Sequence, residues 1–143
     1  MRLRIVAVGR CRDPAVRDLT DRYLARSGFP TDLVELAPKG TEADALLAAV
    51  PADGRVVALD EHGRDLTSAE LAEQLRLWRD AGERLTTFVI GGAGGLDGRV
   101  LSRAQLKLAF GRATWPHMLV RVMLAEQLYR AGTILAGHPY HRA

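Results

Sequence analysis

Four glycines fall within five positions at Gly91-Gly92-Ala93-Gly94-Gly95, directly after the β-rich run Thr86 to Ile90. Such a loop adopts backbone angles closed to other residues and lets main-chain N–H and C=O groups come close to a ligand. Two nucleotide-binding patterns fail here on spacing. In a G-x-G-x-x-G frame starting at Gly92, the third glycine position holds Asp97, and no acidic residue closes the next strand to hold a ribose. A phosphate-binding P-loop requires Gly-Lys-Ser/Thr, and no lysine lies near. On pattern alone the cluster is a ligand loop or a tight strand-to-helix turn.

A second group of reactive residue types stands at the far end. The segment Met118 to Ala136 is apolar on nearly every face, with Arg121, Glu126 and Arg130 as its only charges, and Gly137-His138-Pro139-Tyr140-His141-Arg142 follows it. Charges set into an apolar helix need partners, and a tail of rings and cations suits the gripping of a ligand. The plainer alternatives are a core helix with a sticky terminus, an i,i+4 pair of Glu126 with Arg130, and an Arg121 that pins the start of the helix.

A chain of 143 residues builds one domain, spanning residues 1–143, with room for a real core and none for a second. Apolar residues make up 48% and charged residues 26%, an ordinary globular mix. No run of about 18 apolar residues is free of charge and no signal sequence opens the chain, so a cytoplasmic protein without membrane contact is expected. The single Cys11 cannot form an internal disulfide, and four scattered histidines lack metal-ligand spacing, so no metal is expected. The net charge of +3 is unevenly spread. From Gly98 onward seven Arg or Lys stand against one acid, Glu126, whereas many acids lie between Asp53 and Glu83. Codon bias explains 18 Arg against 2 Lys but not the missing Asp and Glu, so phosphate is the natural partner of the C-terminal third.

The elements that must position these residues alternate in type. Leu3 to Val8, Leu33 to Leu36, Arg55 to Leu59 and Thr86 to Ile90 read as strands, the third closed by Asp60 to Gly63. Helices are expected from Pro14 to Arg26 behind Asp13 as N-cap, around Glu42 to Val50, and to about Ala81 behind the capping box Thr67-Ser68-Ala69-Glu70. Arg99 to Phe110 reads as helix, Ala113 to Trp115 as a short strand, and Met118 to Ala136 as a last helix with Gly137 as its C-cap. The order implies an α/β fold, a mainly parallel sheet with helices on both faces. Ligands in such folds collect beyond the carboxyl ends of strands. The glycine loop, Leu59 and Gly111-Arg112-Ala113-Thr114-Trp115-Pro116 all stand at such ends.

The chain resembles the RlmH family of ribosomal RNA methyltransferases, the smallest members of the knotted SPOUT class that use S-adenosylmethionine. The resemblance runs from Leu3-Arg4-Ile5-Val6-Ala7-Val8-Gly9 to the end. It is most specific at Ile90-Gly91-Gly92…Gly95-Leu96, Pro116-His117…Val120-Arg121-Val122, Glu126-Gln127-Leu128-Tyr129-Arg130-Ala131 and His138-Pro139-Tyr140-His141. It implies a SPOUT-type fold with a C-terminal trefoil knot and a homodimer in which the tail of one subunit completes the other's site. It also implies that Leu59, Gly92, Gly111, Arg112, Ala113, Thr114, Trp115 and Pro116 form the S-adenosylmethionine pocket. Leu59 and Trp115 offer adenine an apolar surface. The sulfonium is a cation, so carbonyls rather than arginines are expected beside it.

The acceptor implied by the family is N3 of a pseudouridine in large-subunit ribosomal RNA, with the assembled ribosome as substrate. N3–H is an imide proton that must leave as the methyl arrives, so the site needs a base or a positive charge. His141, Arg130, Tyr140 and Arg142 are the expected catalytic groups, with His138 and His117 also available, and His141 and Arg130 are expected to touch the base or a phosphate. Between Pro38 and Gly54 the chain departs from the family, being shorter and holding one lysine, Lys39, so any RNA contact of that loop is not carried over. Two other classes compete with this reading. A nucleotide-binding oxidoreductase meets the spacing mismatch above. A non-enzymatic RNA- or ribosome-binding module would use only the basic surface, yet 6% aromatic residues build no stacking sheet and the glycine loop is left without a role.

Overall fold

Near-continuous apolar runs such as Leu3 to Val8 belong to strands covered on both faces, and that is where they lie. In the computed structural model, which describes residues 1–142 and so leaves Ala143 outside, five strands form one sheet. They are β1 (Arg2–Val8), β2 (Thr31–Leu36), β3 (Arg55–Asp65), β4 (Leu85–Ile90) and β5 (Leu106–Ala109), in the order β2-β1-β4-β3-β5. Every neighbouring pair is parallel. Parallel strands need crossovers, supplied by α1 (Pro14–Arg26), α2 (Glu42–Ala49), α3 (Ser68–Asp80) and α4 (Gly98–Arg103), and α5 (His117–Ala136) follows the last strand.

Two clusters cover the sheet. Leu3, Ile5 and Phe88 pack with Leu71 and Leu75 of α3 and Leu124 and Leu128 of α5. Val6, Val56 and Val89 pack with Leu46 of α2 and Val100 of α4. Successive residues Ile5 and Val6 serve opposite clusters, as the period-2 pleat requires. Local chemistry sets the helix ends. Asp13 accepts from the Ala15 N–H at 2.9 Å. Thr67 and Glu70 form the reciprocal capping box with both bonds at 3.1 Å. Gly137 takes φ 72°, and the following His138 N–H returns to the Thr133 carbonyl at 2.9 Å.

Three expectations are corrected. Residues 99–110 are not one helix: α4 stops at Arg103 and β5 adds an edge strand to β3. Leu, Lys and Ala favour helix, but pairing overrides them. The Gln105 N–H donates to the Val56 carbonyl at 2.9 Å and its Oε1 accepts the Val56 N–H at 2.6 Å, which clamps the chain to β3 before the helix can continue. Ala113 to Trp115 is loop, not strand, because Thr114 and Trp115 bond to Glu61 and to the Phe110 carbonyl rather than to a ladder. Finally, β3 does not end at Leu59. It bulges and rejoins β5, so that Leu108 faces both Leu59 and Arg64. Among the described residues, no helix is long and apolar enough to cross a membrane.

Candidate active site

The bulged part of β3, the segments that follow β4 and β5 and the start of α5 line a cavity of about 870 Å³, a size typical of small-molecule sites. Leu59, Gly92, Gly111, Ala113, Thr114, Trp115 and Pro116 all line it. Arg112 does not, and its side chain is exposed. The walls also include Asp60, Glu61 and His62. These were legible in the sequence only as a turn, and the bulge that turns them toward the ligand space depends on pairing with β5. No Arg or Lys lines the cavity, whereas two carboxylates do. Such a lining favours a cationic ligand.

The glycine loop is both a tight turn and a cavity wall. The Gly95 N–H donates to the Gly92 carbonyl at 3.0 Å. A Cβ on Gly91 would stand 2.7 Å from the Gly95 carbonyl oxygen and 2.9 Å from Leu96 Cδ2, so no side chain fits without moving the backbone. The three atoms nearest a Cβ on Gly92 would all belong to the Glu42 carboxylate, Oε1 the closest at 2.5 Å, the end of a flexible side chain. Glu42 itself accepts the Gly92 N–H at 3.4 Å.

The β5–α5 loop is tied to β3. Asp65 Oδ1 accepts the Gly111 N–H at 3.1 Å and Glu61 Oε2 accepts the Thr114 hydroxyl at 2.9 Å. The Trp115 indole N–H donates to the Phe110 carbonyl at 2.9 Å, yet 43% of the residue stays exposed on the rim.

Arg121 pins the start of α5. It is 1% exposed and donates to Glu35 Oε2 at 2.6 Å, the Gly9 carbonyl at 3.0 Å and the Val8 carbonyl at 3.3 Å. These bonds fasten α5 to the ends of β1 and β2, which makes Arg121 a structural residue.

Midway along α5, Glu126 gathers the tail. Its Oε1 accepts from Arg130 Nη2 at 2.6 Å, Arg130 Nε at 2.9 Å and the Tyr140 hydroxyl at 3.0 Å. The expected i,i+4 pair therefore exists and also anchors the terminus. Arg130 Nη1 lies 3.1 Å from His141 Nδ1, and its guanidinium stacks 4.8 Å above the Tyr140 ring. Burial, reinforced by the bond to Glu126, pushes the Tyr140 hydroxyl up to about 12. The same carboxylate, through its hydrogen bond, raises the Arg130 pKa above its ordinary value. Arg142 is exposed.

The structure thus brings His141, Arg130 and Tyr140 together, but not beside their own cavity. His117 lines the cavity at the first turn of α5, whereas Arg130 lies 13 positions along the same helix, about 20 Å away at 1.5 Å per residue.

Residues 1–141 match the family described as "Predicted SPOUT methyltransferase". Over 152 aligned residues the chain is 54% identical to the protein named ribosomal RNA large subunit methyltransferase H in Rhodospirillum centenum, covering 100% of both. The chain belongs to the RlmH family of SPOUT methyltransferases. A Cereibacter sphaeroides relative of the same name is 56% identical over 155 residues, 99% of each chain. Among solved structures, a probable methylase family protein from Haemophilus influenzae Rd KW20 shares the fold with a TM-score of 0.62, over 99% of this chain and 70% of that one, at 16% identity. The five-stranded parallel α/β sheet is therefore that of the SPOUT class, and RlmH membership agrees with the four segments singled out in the sequence.

Proposed function

We propose that the protein transfers a methyl group from S-adenosylmethionine to N3 of a pseudouridine in large-subunit ribosomal RNA, acting in the cytoplasm on assembled ribosomes as a homodimer. The observation that carries this reading is the cavity between the β3 bulge and the loops after β4 and β5, whose walls include seven of the eight positions the RlmH resemblance assigns to the cofactor, all but Arg112. The relatives' name, ribosomal RNA large subunit methyltransferase H, supports the RNA substrate. When bound, the cofactor supplies an electrophilic methyl on a cationic sulfonium. The residues present fit it: Leu59, Leu108 and Trp115 provide apolar surface for adenine, and Asp60 and Glu61 without a neighbouring Arg or Lys favour a cation.

The dimer is supported by what α5 leaves uncovered. Met118, Leu119, Val122 and Met123 belong to neither core cluster, and Leu119 is 42% exposed. Their i, i+4 spacing makes one apolar stripe suited to a second copy. A partner packed there supplies the tail that a chain cannot bring to its own cavity. In that composite site Arg130 stabilises the negative charge that develops as N3 loses its proton, His141 meets the base, and Arg142 meets a phosphate. Tyr140, kept protonated at neutral pH, serves as a donor and not as the base. The trefoil knot of the SPOUT class belongs to the same reading.

The test is transfer from labelled cofactor to assembled ribosomes, separate large subunits and free ribosomal RNA, followed by nucleoside analysis. Labelled N3-methylpseudouridine from ribosomes and little from naked RNA is the expected result. Ribosome binding without any cofactor binding would replace the reading with a non-enzymatic module.

A further inference from the structure

We infer that Arg10 and Arg12, on the loop between β1 and α1, are contacts for the phosphates of the RNA substrate and form a second rim of the site. The inference rests on the RNA methyltransferase reading above and adds residues outside the basic C-terminal third. Its first support is placement. Ala7 of β1 is in register with Ile90 of β4, so the chain leaving β1 emerges one strand spacing, about 4.8 Å, from the base of the glycine loop. The cofactor cavity lies on the β3 side of that loop, and the β1–α1 loop lies on the other.

The second support is how the loop is held. Cys11, between the two arginines, is 4% exposed, and its N–H donates to Glu35 Oε2 at 2.7 Å. Arg17 donates to the Cys11 carbonyl. Glu35 is fixed in turn by buried Arg121, which also holds the Gly9 carbonyl. Three side chains, Glu35, Arg17 and Arg121, thus lock positions 9 and 11 inward, and Arg10 and Arg12 stand exposed on a rigid frame. A loop ordered in advance loses little entropy on binding.

The third support is charge. Half-buried Arg76 and exposed Arg79 and Arg99 are neutralised by acids within 3.4 Å. Among the described residues neither Arg10 nor Arg12 has an ion-pair partner, and the adjacent Asp13 uses its carboxylate on the Ala15 N–H. Two unneutralised guanidiniums match phosphate geometry through paired N–H donors. Neither lines the cofactor cavity, so the carboxylate of the methyl donor is not their target.

The experiment measures binding of the full chain to purified large ribosomal subunits across a series of salt concentrations. In the double variant Arg10→Gln/Arg12→Gln, the slope of log affinity against log salt should fall by about 1.5, since each phosphate contact contributes roughly 0.7–0.9. The Arg10→Lys/Arg12→Lys variant should restore most of that slope. Calorimetry with S-adenosylmethionine should give the same affinity for all three proteins, which also reports that they are folded. An unchanged slope in the glutamine variant would overturn the inference while leaving the methyltransferase reading standing. A loss of cofactor affinity would overturn it too, by assigning the arginines to the fold or the donor site. Salt-independent binding by the unaltered chain would overturn the inference as well, since no phosphate contact would then contribute.

Discussion

A carboxylate on an apolar helix is costly unless it is paired, and Glu126 is paired with Arg130, Tyr140 and, through its second oxygen, with Gln127 at 2.8 Å. The neutral phenol of Tyr140 is the form this arrangement favours, so its folded pKa lies above the ordinary value near 10. Stability drawn from that contact is therefore fully present below about pH 10 and is lost as pH rises toward 12. In an ultraviolet titration of tyrosinate, one of the three tyrosines should ionise late, and that component should vanish in Tyr140→Phe. Absence of a late component that depends on Tyr140 would mean the hydroxyl is not held by Glu126 in solution. The pair Glu126–Arg130 was legible from spacing alone. The convergence of Tyr140 and His141 on it was not, because it depends on the reversal at Gly137, whose geometry no spacing rule extends to side-chain partners.

At the scale of elements, legibility followed the locality of the interactions. The Asp13 cap, the Thr67–Glu70 box and the Gly137 terminus involve neighbours a few residues apart, and each was found where the sequence put it. The strand β5 was missed because its cause is Gln105 pairing with Val56, 49 positions away. The bulge of β3 likewise lies in its pairing with β5, where Leu59 and Arg64 both face Leu108, so Asp60, Glu61 and His62 were hidden from pattern reading for the same reason. The glycine loop divides more finely than its composition suggests. A Cβ on Gly92 faces the Glu42 carboxylate, which can move. At Gly91 it faces backbone. Gly91→Ala should weaken S-adenosylmethionine binding at least about tenfold, some 1.4 kcal/mol, whereas Gly92→Ala should change it by less than about threefold. Calorimetry on both variants checks this: equal losses would mean that the backbone contact at Gly91 does not set the effect, and unchanged affinity in both would mean that the loop does not shape the cofactor site.

The whole molecule poses a problem of distance. His117 at the cavity and Arg130 in the tail cluster stand 13 positions apart on α5, about 20 Å along the helix, and a rigid helix packed on α1 and α3 cannot bring them together. A second copy resolves this if it lays its tail over the first copy's cavity. Sedimentation should then give about 31 kDa, twice the 15.6 kDa of one chain. Truncation after Pro139 should leave the dimer and its cofactor affinity intact while cutting methyl transfer to ribosomes by roughly a hundredfold or more, the scale of losing positioned acid–base groups. Mixing subunits then separates the two arrangements. A truncated chain keeps its cavity and lacks its tail, whereas a Gly91→Val chain keeps its tail and lacks its cavity. Neither homodimer has a working site. If tails act across the interface, each mixed dimer has one complete site, and co-folded equal amounts should recover about a quarter of the natural activity. If each tail served its own cavity, no mixed dimer would contain a complete site, and the mixture would stay as inactive as its parts.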